Sequence, residues 1–309
     1  MTTPVKIVFL GTPEFAVPVL DRLASDPRFQ IMAVITQEDK PVGRHQTLTA
    51  SPVKTLALQL NLPVFQPTKL NKDQELLEEI KSWNIDFLVV VAYGQILSRK
   101  VLALPRVKAI NIHGSILPKY RGASPIEQSL LNSDLETGIS IMEMTAGMDQ
   151  GPVYEIHQIP IGNQDDNLTL RHTLSKLGAE KLPDCLIKIA NNEIQPSIQD
   201  ESQATYCQKI IKQHGQIDAQ IESAESIIGK LKAFKPWPGI SIIIKEKVCK
   251  IIQARISEQI LSPGIFQIQC GVILLGTTSK AIQIDEIQME GKKSMTTEDF
   301  LRGNSQLFE

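Results

Sequence analysis

The sequence predicts an α/β protein: a mostly parallel sheet with helices on both faces, followed by a smaller all-β domain. Three observations carry that expectation. Through about residue 190, short continuous apolar runs alternate with stretches of helical periodicity, the pattern of crossover units. Beyond residue 208 the pattern becomes a series of short β-rich runs divided by turn residues. The length of 309 residues is sufficient for two cores.

Val5 to Leu10 is the first apolar run, and Gly11-Thr12-Pro13 stops it. Glu14 to Ala24 then repeats Phe15, Val19, Leu20 and Leu23 at helical spacing. Ile31 to Ile35 reads as the second strand. Pro52 to Leu60 reads as a helix with Ser51 as N-cap and Pro52 at its first position. Leu76 to Trp83 is helical, and Phe87 to Ala92 and Ala109 to His113 are further buried strands. Val153 to Ile159 is strand-like, and Leu168 to Ala190 is a long amphipathic helix. Pro196 to Tyr206 is polar and weakly periodic, which suits a linker or surface strap. Ile240 to Ile244, Val248 to Ala254, Gly264 to Gln269, Val272 to Leu275 and Ala281 to Ile287 then build a small barrel or sandwich. The expected boundaries are 1–190, a linker at 191–208, and 209–309.

Composition excludes several function classes. Apolar residues make up 42%, charged residues 21%, and the net charge is -2, so any polyanion-binding surface must be local. No leader pattern precedes the first strand and no apolar run reaches membrane length, so a cytoplasmic protein without membrane contact is expected. The four cysteines form no CxxC pair and the five histidines no HExxH motif, so no metal is expected.

Asn111 and His113 lie two apart at a strand's carboxyl end, hence on one face, with Ile110 and Ile112 on the other. Open α/β sheets bind ligands at such ends. A carboxylate on the glycine-flanked turn Gly147-Met148-Asp149-Gln150-Gly151 can orient the imidazole and favour its charged form. Ser115 would complete the residue types of a hydrolase triad, but it lies on no GxSxG elbow. Asn, His and Asp without a nucleophile suit direct acyl transfer, two donors facing an oxyanion and a carboxylate assisting the proton. Gly11 alone does not make the three-glycine dinucleotide fingerprint. Two basic segments suit a polyanion: the long loop Gln37 to Ser51 with Lys40, Arg44 and His45, and the stretch with Lys230, Lys232, Lys235, Lys245, Lys247 and Lys250. Phe234, Trp237 and Ile240 would anchor the second to the β domain.

Six segments together resemble the methionyl-tRNA formyltransferase family over essentially the whole chain. They are Gly11-Thr12-Pro13-Glu14-Phe15; Lys40-Pro41-Val42-Gly43-Arg44 with Ser51-Pro52-Val53-Lys54; and Val91-Ala92-Tyr93-Gly94. The others are Asn111 to Pro118 continuing through Tyr120-Arg121-Gly122-Ala123-Ser124-Pro125-Ile126, Gly147 to Gly151, and Phe234-Lys235-Pro236-Trp237-Pro238-Gly239. The resemblance implies a Rossmann-like domain that binds 10-formyltetrahydrofolate and an OB-like barrel that helps hold initiator methionyl-tRNA. It implies transfer of the formyl group to the methionine amine by direct attack, without a covalent enzyme intermediate, for translation initiation. Carried over by motif, Asn111, His113 and Asp149 are the catalytic set. Phe15, Ala92, Tyr93, Ile96, Leu97, Ser115, Ile116, Leu117 and Pro118 are folate-binding, with Ile116 where the family often has Leu. Lys40, Arg44, Lys230, Lys232, Lys235, Lys245 and Lys247 are tRNA-binding, no metal is involved, and a monomer is expected. His45 departs from the family's usual glycine.

Related formyltransferases share the Asn, His and Asp set, so these residues define the reaction more than the acceptor. A glycinamide ribonucleotide transformylase would lack the β domain, and a sugar-nucleotide formyltransferase would not need the basic loop. A non-catalytic RNA-binding module would have no reason to retain all three polar residues.

Overall fold

The structure, a computed structural model, describes residues 3–43 and 46–308. Its backbone divides into two compact units. The first comprises residues up to Pro125, Thr137–Ile159 and Arg171–Tyr206, and the second comprises Ile126–Glu136, Pro160–Leu170 and the chain from Cys207.

The first unit is built on a seven-stranded sheet. Its strands are β1 (Val5–Gly11), β2 (Phe29–Ile35), β3 (Val64–Phe65), β4 (Phe87–Val91), β5 (Lys108–His113), β6 (Glu136–Glu143) and β7 (Val153–Pro160), in the order β7-β6-β5-β4-β1-β2-β3. From β3 to β5 every pairing is parallel, whereas β6 joins β5 antiparallel. β3 and β6 carry no clear apolar signal: the first is two residues long and the second begins with Glu136-Thr137-Gly138. The expected helices form at Val17–Ser25, Pro52–Gln59, Gln74–Ser82 and Asn167–Ala190. Ser51 caps its helix as expected, its hydroxyl accepting from the Lys54 N–H at 3.1 Å.

Both faces of the central strands are buried, which is why they read as continuous apolar runs. Val8, Leu10, Leu88, Val90 and Ala109 share one core with Leu76, Leu77 and Ile80 of the helix Gln74–Ser82. On β5, Ile112 points the other way, against Gly178 of the long helix. A Cβ at Gly178 would lie 3.2 Å from Ile112 Cδ1, so even an alanine there would require the Ile112 side chain to give by a few tenths of an ångström. Asn111 and His113 thereby belong to the opposite face, that of Ala109.

Two polar segments of this unit are more ordered than their composition suggests. The loop Gln37 to Ser51 contains a hairpin, Lys40–Val42 paired antiparallel with Thr47–Thr49; Lys40, Pro41 and Thr47 to Thr49 are all exposed, so no burial periodicity marks it. Of linker or surface strap, the polar segment Pro196 to Tyr206 is the strap. Ser197 bridges to Val153, Tyr206–Cys207 pairs with Arg121–Gly122, and the Thr205 carbonyl accepts from the Arg121 N–H at 2.9 Å. Its backbone is tied to this unit, and of its polar side chains Gln199 and Thr205 bond to the unit's backbone while most of the others are exposed.

The second unit carries an antiparallel sheet of β8 (Ile240–Ile244), β9 (Lys247–Ile256), β10 (Phe266–Gln269), β11 (Val272–Leu275) and β12 (Ile282–Met289), ordered β8-β9-β12-β11-β10, with Met295–Thr296 beside β12. Alternation sets its core: Ile240, Ile242 and Ile244 are buried while Ile243 is exposed. The unit is not purely β. Helices form at Ala224–Ala233 and Thr297–Asn304, capped by Ser223 and Thr296. The lysines at 230 and 232 had disguised the first as part of a charge run.

Candidate active site

The order of the parallel strands reverses between β1 and β4, and ligands of open α/β sheets bind outside the carboxyl ends at such a point. The loops there are laced together. Thr12 Oγ1 and Gln37 Nε2 both donate to the Tyr93 carbonyl, each at 2.9 Å. Gln95 accepts from the Leu70 N–H at 3.3 Å, and Asn71 donates to the Ile96 carbonyl at 2.7 Å while accepting from the Ser98 N–H at 2.8 Å. These bonds fix the floor of a cavity of about 450 Å³ lined by Gln37, Lys40, Lys69, Lys72, Gly94 and Ile96, among others. Ile96 is 79% exposed there, an apolar lip above a cationic wall. The sequence reading named Lys40 and Ile96 but missed Lys69 and Lys72. Their only signal was position, after a strand too short to recognise.

β5 is the next strand of the sheet after β4, and its carboxyl end presents the Asn111 and His113 side chains, both buried and neither lining that cavity. His113 Nε2 lies 2.9 Å from the Tyr120 carbonyl, which can only accept, so the proton belongs on Nε2. Nδ1 faces Asp149 Oδ2 at 3.7 Å, an ion-pair distance longer than a hydrogen bond. The Asn111 amide makes no hydrogen bond to any described residue, which leaves its donors available to a ligand. Asp149 sits at φ 52°, a left-handed conformation that Asp tolerates at a cost of ~1 kcal/mol. Its Oδ2 accepts the Gly122 N–H at 2.8 Å. Gly122 has φ 120°, a conformation that strains any residue with a Cβ. The structure thus brings Asn111, His113 and Asp149 together, as the sequence reading required.

The remaining folate candidates divide. Ala92 and Ile96 are exposed at the crevice and Ile116 is half-buried. Phe15, Leu117 and Leu97 are buried, with Leu117 packed on Met142 and Val153. Tyr93 is in the core; its hydroxyl has no partner, and burial pushes its pKa up to about 12. Ser115 Oγ donates to the Lys119 carbonyl at 2.6 Å, and Ser140 Oγ, donating to the Ser115 carbonyl at 2.7 Å, also accepts the Leu117 N–H. These bonds hold the turn that ends at Pro118. A serine hydroxyl so committed is no hydrolase nucleophile.

Of the candidate tRNA residues, Arg44, like His45, lies outside the described residues. Lys40 donates to Gln37 Oε1 at 2.7 Å. In the second unit, Lys230 pairs with Glu222 at 2.5 Å and Lys235 with Asp166 at 3.4 Å. Lys232 and Lys245 donate to the Asn163 and Gln306 carbonyls at 2.8 and 2.7 Å. The stretch is therefore less cationic than its sequence suggests, with Lys247 and Lys250 its exposed charges without a described partner. Phe234 and Ile240 are buried as expected, but Trp237 is 56% exposed and is no anchor: it follows the helix end in a proline-bounded turn. Among the described residues no cluster of His, Cys, Asp and Glu is suited to a metal ion, and no helix is long and apolar enough to cross a membrane.

Sequence profiles describe what this architecture is. The formyl transferase profile matches residues 5–186 and the formyl transferase C-terminal domain profile matches 209–305, so by class the chain is a formyl transferase. Its similarity to curated proteins is closer still. A methionyl-tRNA formyltransferase of Caldicellulosiruptor saccharolyticus is 42% identical over 302 residues, and one of Dictyoglomus turgidum 40% over 307, each covering 96% of both chains. The chain belongs to the methionyl-tRNA formyltransferase family. Among solved structures, an N-formyltransferase of Helicobacter canadensis in complex with folinic acid and dTDP-3-aminofucose shares the fold, with TM-score 0.68, 18% identity and coverage of 92% of this chain and 99% of that one. A glycinamide ribonucleotide transformylase of Symbiobacterium toebii covers 65% of this chain and 96% of its own, with TM-score 0.53.

Proposed function

We propose that this enzyme transfers the formyl group of 10-formyltetrahydrofolate to the methionine amine of initiator methionyl-tRNA, for translation initiation. The observation that carries the reading is the grouping of an uncommitted Asn111 amide and the His113 ring on one face at the carboxyl end of β5, with the Asp149 carboxylate 3.7 Å from His113 Nδ1. The crevice also fits the donor. A folate joins an aminobenzoyl ring to glutamate carboxylates, matching an exposed Ile96 next to Lys69 and Lys72.

The folate supplies an activated formyl carbon. When the amine attacks it, negative charge develops on the formyl oxygen, and donors already in place stabilise that charge without reorganising. Asn111 donates through its amide. His113 has Nε2 committed to Tyr120, so only Nδ1 is left to donate, and it donates when the ring is an imidazolium. Asp149 Oδ2 faces that nitrogen at 3.7 Å. Asp149 also stands to take the proton the amine must lose, which then passes to the folate nitrogen as its bond to the formyl carbon breaks. No enzyme atom becomes acylated.

The basic loop with Lys40 and Arg44, and the exposed Lys247, are the tRNA-facing elements in this reading. The test offers 10-formyltetrahydrofolate with charged initiator tRNA, glycinamide ribonucleotide or an amino-sugar nucleotide. Formylation of the tRNA alone is expected; formylation of either small acceptor in its place overturns the assignment. The KM for tRNA should rise steeply with salt, and a salt-insensitive KM would remove the lysines and Arg44 from the interface.

A further inference from the structure

The turn bearing Asp149 is held by a chain of buried polar side chains that neither the mechanism nor the family resemblance assigns. Arg121 is 0% exposed. Its Nε donates to Gln199 Oε1 at 2.9 Å, and its two Nη groups form a bidentate pair with Glu201 at 2.9 and 2.7 Å. Gln199, itself buried, turns its amide nitrogen toward the turn and donates to the Asp149 carbonyl at 2.9 Å and the Gly151 carbonyl at 2.7 Å. Tyr206 closes the arrangement from the other side. Its hydroxyl accepts from Arg121 Nη1 at 3.0 Å and from Gln150 Nε2 at 3.1 Å, and its ring lies 5.7 Å from the guanidinium carbon. Residues 149, 150 and 151 are each gripped from the segment 199–206 or through it.

The neighbours of Arg121 are engaged as well. The Tyr120 carbonyl fixes the His113 ring and the Gly122 N–H fixes the Asp149 carboxylate. Three consecutive residues therefore set the imidazole, the strap and the carboxylate relative to one another. We infer that Arg121 and Gln199 are positioning residues for formyl transfer: through the strap at 199–206 they hold Asp149 in its left-handed conformation, with its carboxylate toward His113 Nδ1. The inference rests on the reading of Asp149 as a member of the catalytic set.

The physical need is plain. A turn residue at φ 52° has lower-energy conformations open to it, and a loop between β6 and β7 has no sheet neighbour to forbid them. A carboxylate already 3.7 Å from Nδ1 loses its influence if the turn relaxes by another ångström or two. Displacements of about 1 Å at a reacting centre cost up to ~100-fold in rate.

Gln199→Glu tests this without removing the fold's support. The carboxylate retains the bond to Arg121 Nε, strengthened by charge, but it cannot donate to the carbonyls of Asp149 and Gly151. The expected result is a protein that remains folded at the assay temperature with a lower melting temperature, since two carbonyls lose their buried donor, a kcat lower by about tenfold to a hundredfold, and KM values for folate and tRNA within about twofold of wild type. Gln199→Met, neutral and similar in size, should lose kcat in the same way, which separates the lost donor from the added charge. The decisive measurement is a double-mutant cycle with Asp149→Asn. If Gln199 acts through Asp149, Gln199→Glu costs little more in the Asp149→Asn background. A full and equal loss in both backgrounds overturns the inference, as does a wild-type kcat for both Gln199 variants. Wild-type activity of Asp149→Asn would instead overturn the catalytic role of Asp149, so the two failures are distinguishable.

Discussion

Asn111 and His113 stand on a central strand, whereas Asp149 stands on a turn, and the two placements depend on different forces. β5 is hydrogen-bonded on both sides, to β4 and to β6, so the direction of its side chains follows from the pleat alone. Asn111 lies opposite Val90 and Met142, and His113 opposite Ser140, in an uninterrupted register. No particular neighbouring side chain is needed to aim them. Asp149 has no such frame: its geometry comes from the Gly122 N–H and from Gln199, fifty residues further along the chain. Rigid backbone supplies one half of the site and side-chain wiring the other.

The same contrast explains what the sequence revealed. The alternation of β5, the continuous runs of β1 and β4, and the Ser51 cap are local signals, and each element formed where its pattern lay. Asn111 and His113 were legible because a period of two is enough to put them on one face. Lys69 and Lys72 were not, since they follow the two-residue strand β3, whose place at the sheet edge is decided by β2. The strap was legible only as one of two alternatives, for the opposite reason. Its polar composition is that of a linker, and only the buried Arg121 it reaches makes those residues structural. The lysines of 230–250 read as one patch because sequence does not show that Glu222 and Asp166 neutralise two of them.

Substitutions at the rigid half should give the largest effect. If Asn111 is the proposed oxyanion donor, Asn111→Ala removes it without moving the strand, and turnover should fall on the order of a hundredfold to a thousandfold while folate affinity changes little. Single-turnover formylation and equilibrium folate binding measure the two quantities, and near-normal turnover would show that the amide faces no developing charge. Asp149→Asn keeps an oxygen to accept the Gly122 N–H, so the turn should persist while the charge is lost. Single-turnover rates should fall by about a hundredfold, and unchanged rates would remove the carboxylate from the proton's path.

A smaller effect is expected at the crevice proposed to take the donor's tail. Lys69→Met and Lys72→Met each remove an exposed cation from the cavity wall, and contacts of that kind contribute little individually. Each should raise KM about 1.5- to 5-fold for a folate carrying several glutamates, with kcat unchanged. A monoglutamyl donor should respond less. Equal responses to both donors would place the lysines away from the tail.

The smallest effect should appear at the exposed end of the wiring. Hydrogen bonds from Arg121 hold the Glu201 carboxyl below its usual value of 4.5, although the Glu201 side chain is itself 69% exposed. A carboxylate whose pKa is depressed by folding adds stability above its unfolded value, and that contribution disappears as pH falls through the lower, folded value. The difference in melting temperature between wild type and Glu201→Gln should therefore be constant down to a pH of about 4.5 and shrink below it. Solvent screens the pair, so the difference should be small even where it is fully present. Arg121 keeps its bonds to Gln199 and Tyr206 in this variant, and kcat should stay within about twofold of wild type. A melting-temperature difference that persists undiminished into acid would show that Glu201 acts through packing instead of charge. A large loss of kcat would extend the dependence of Asp149 to the outer end of the strap, where the guanidinium itself must be anchored for Gln199 to hold the turn.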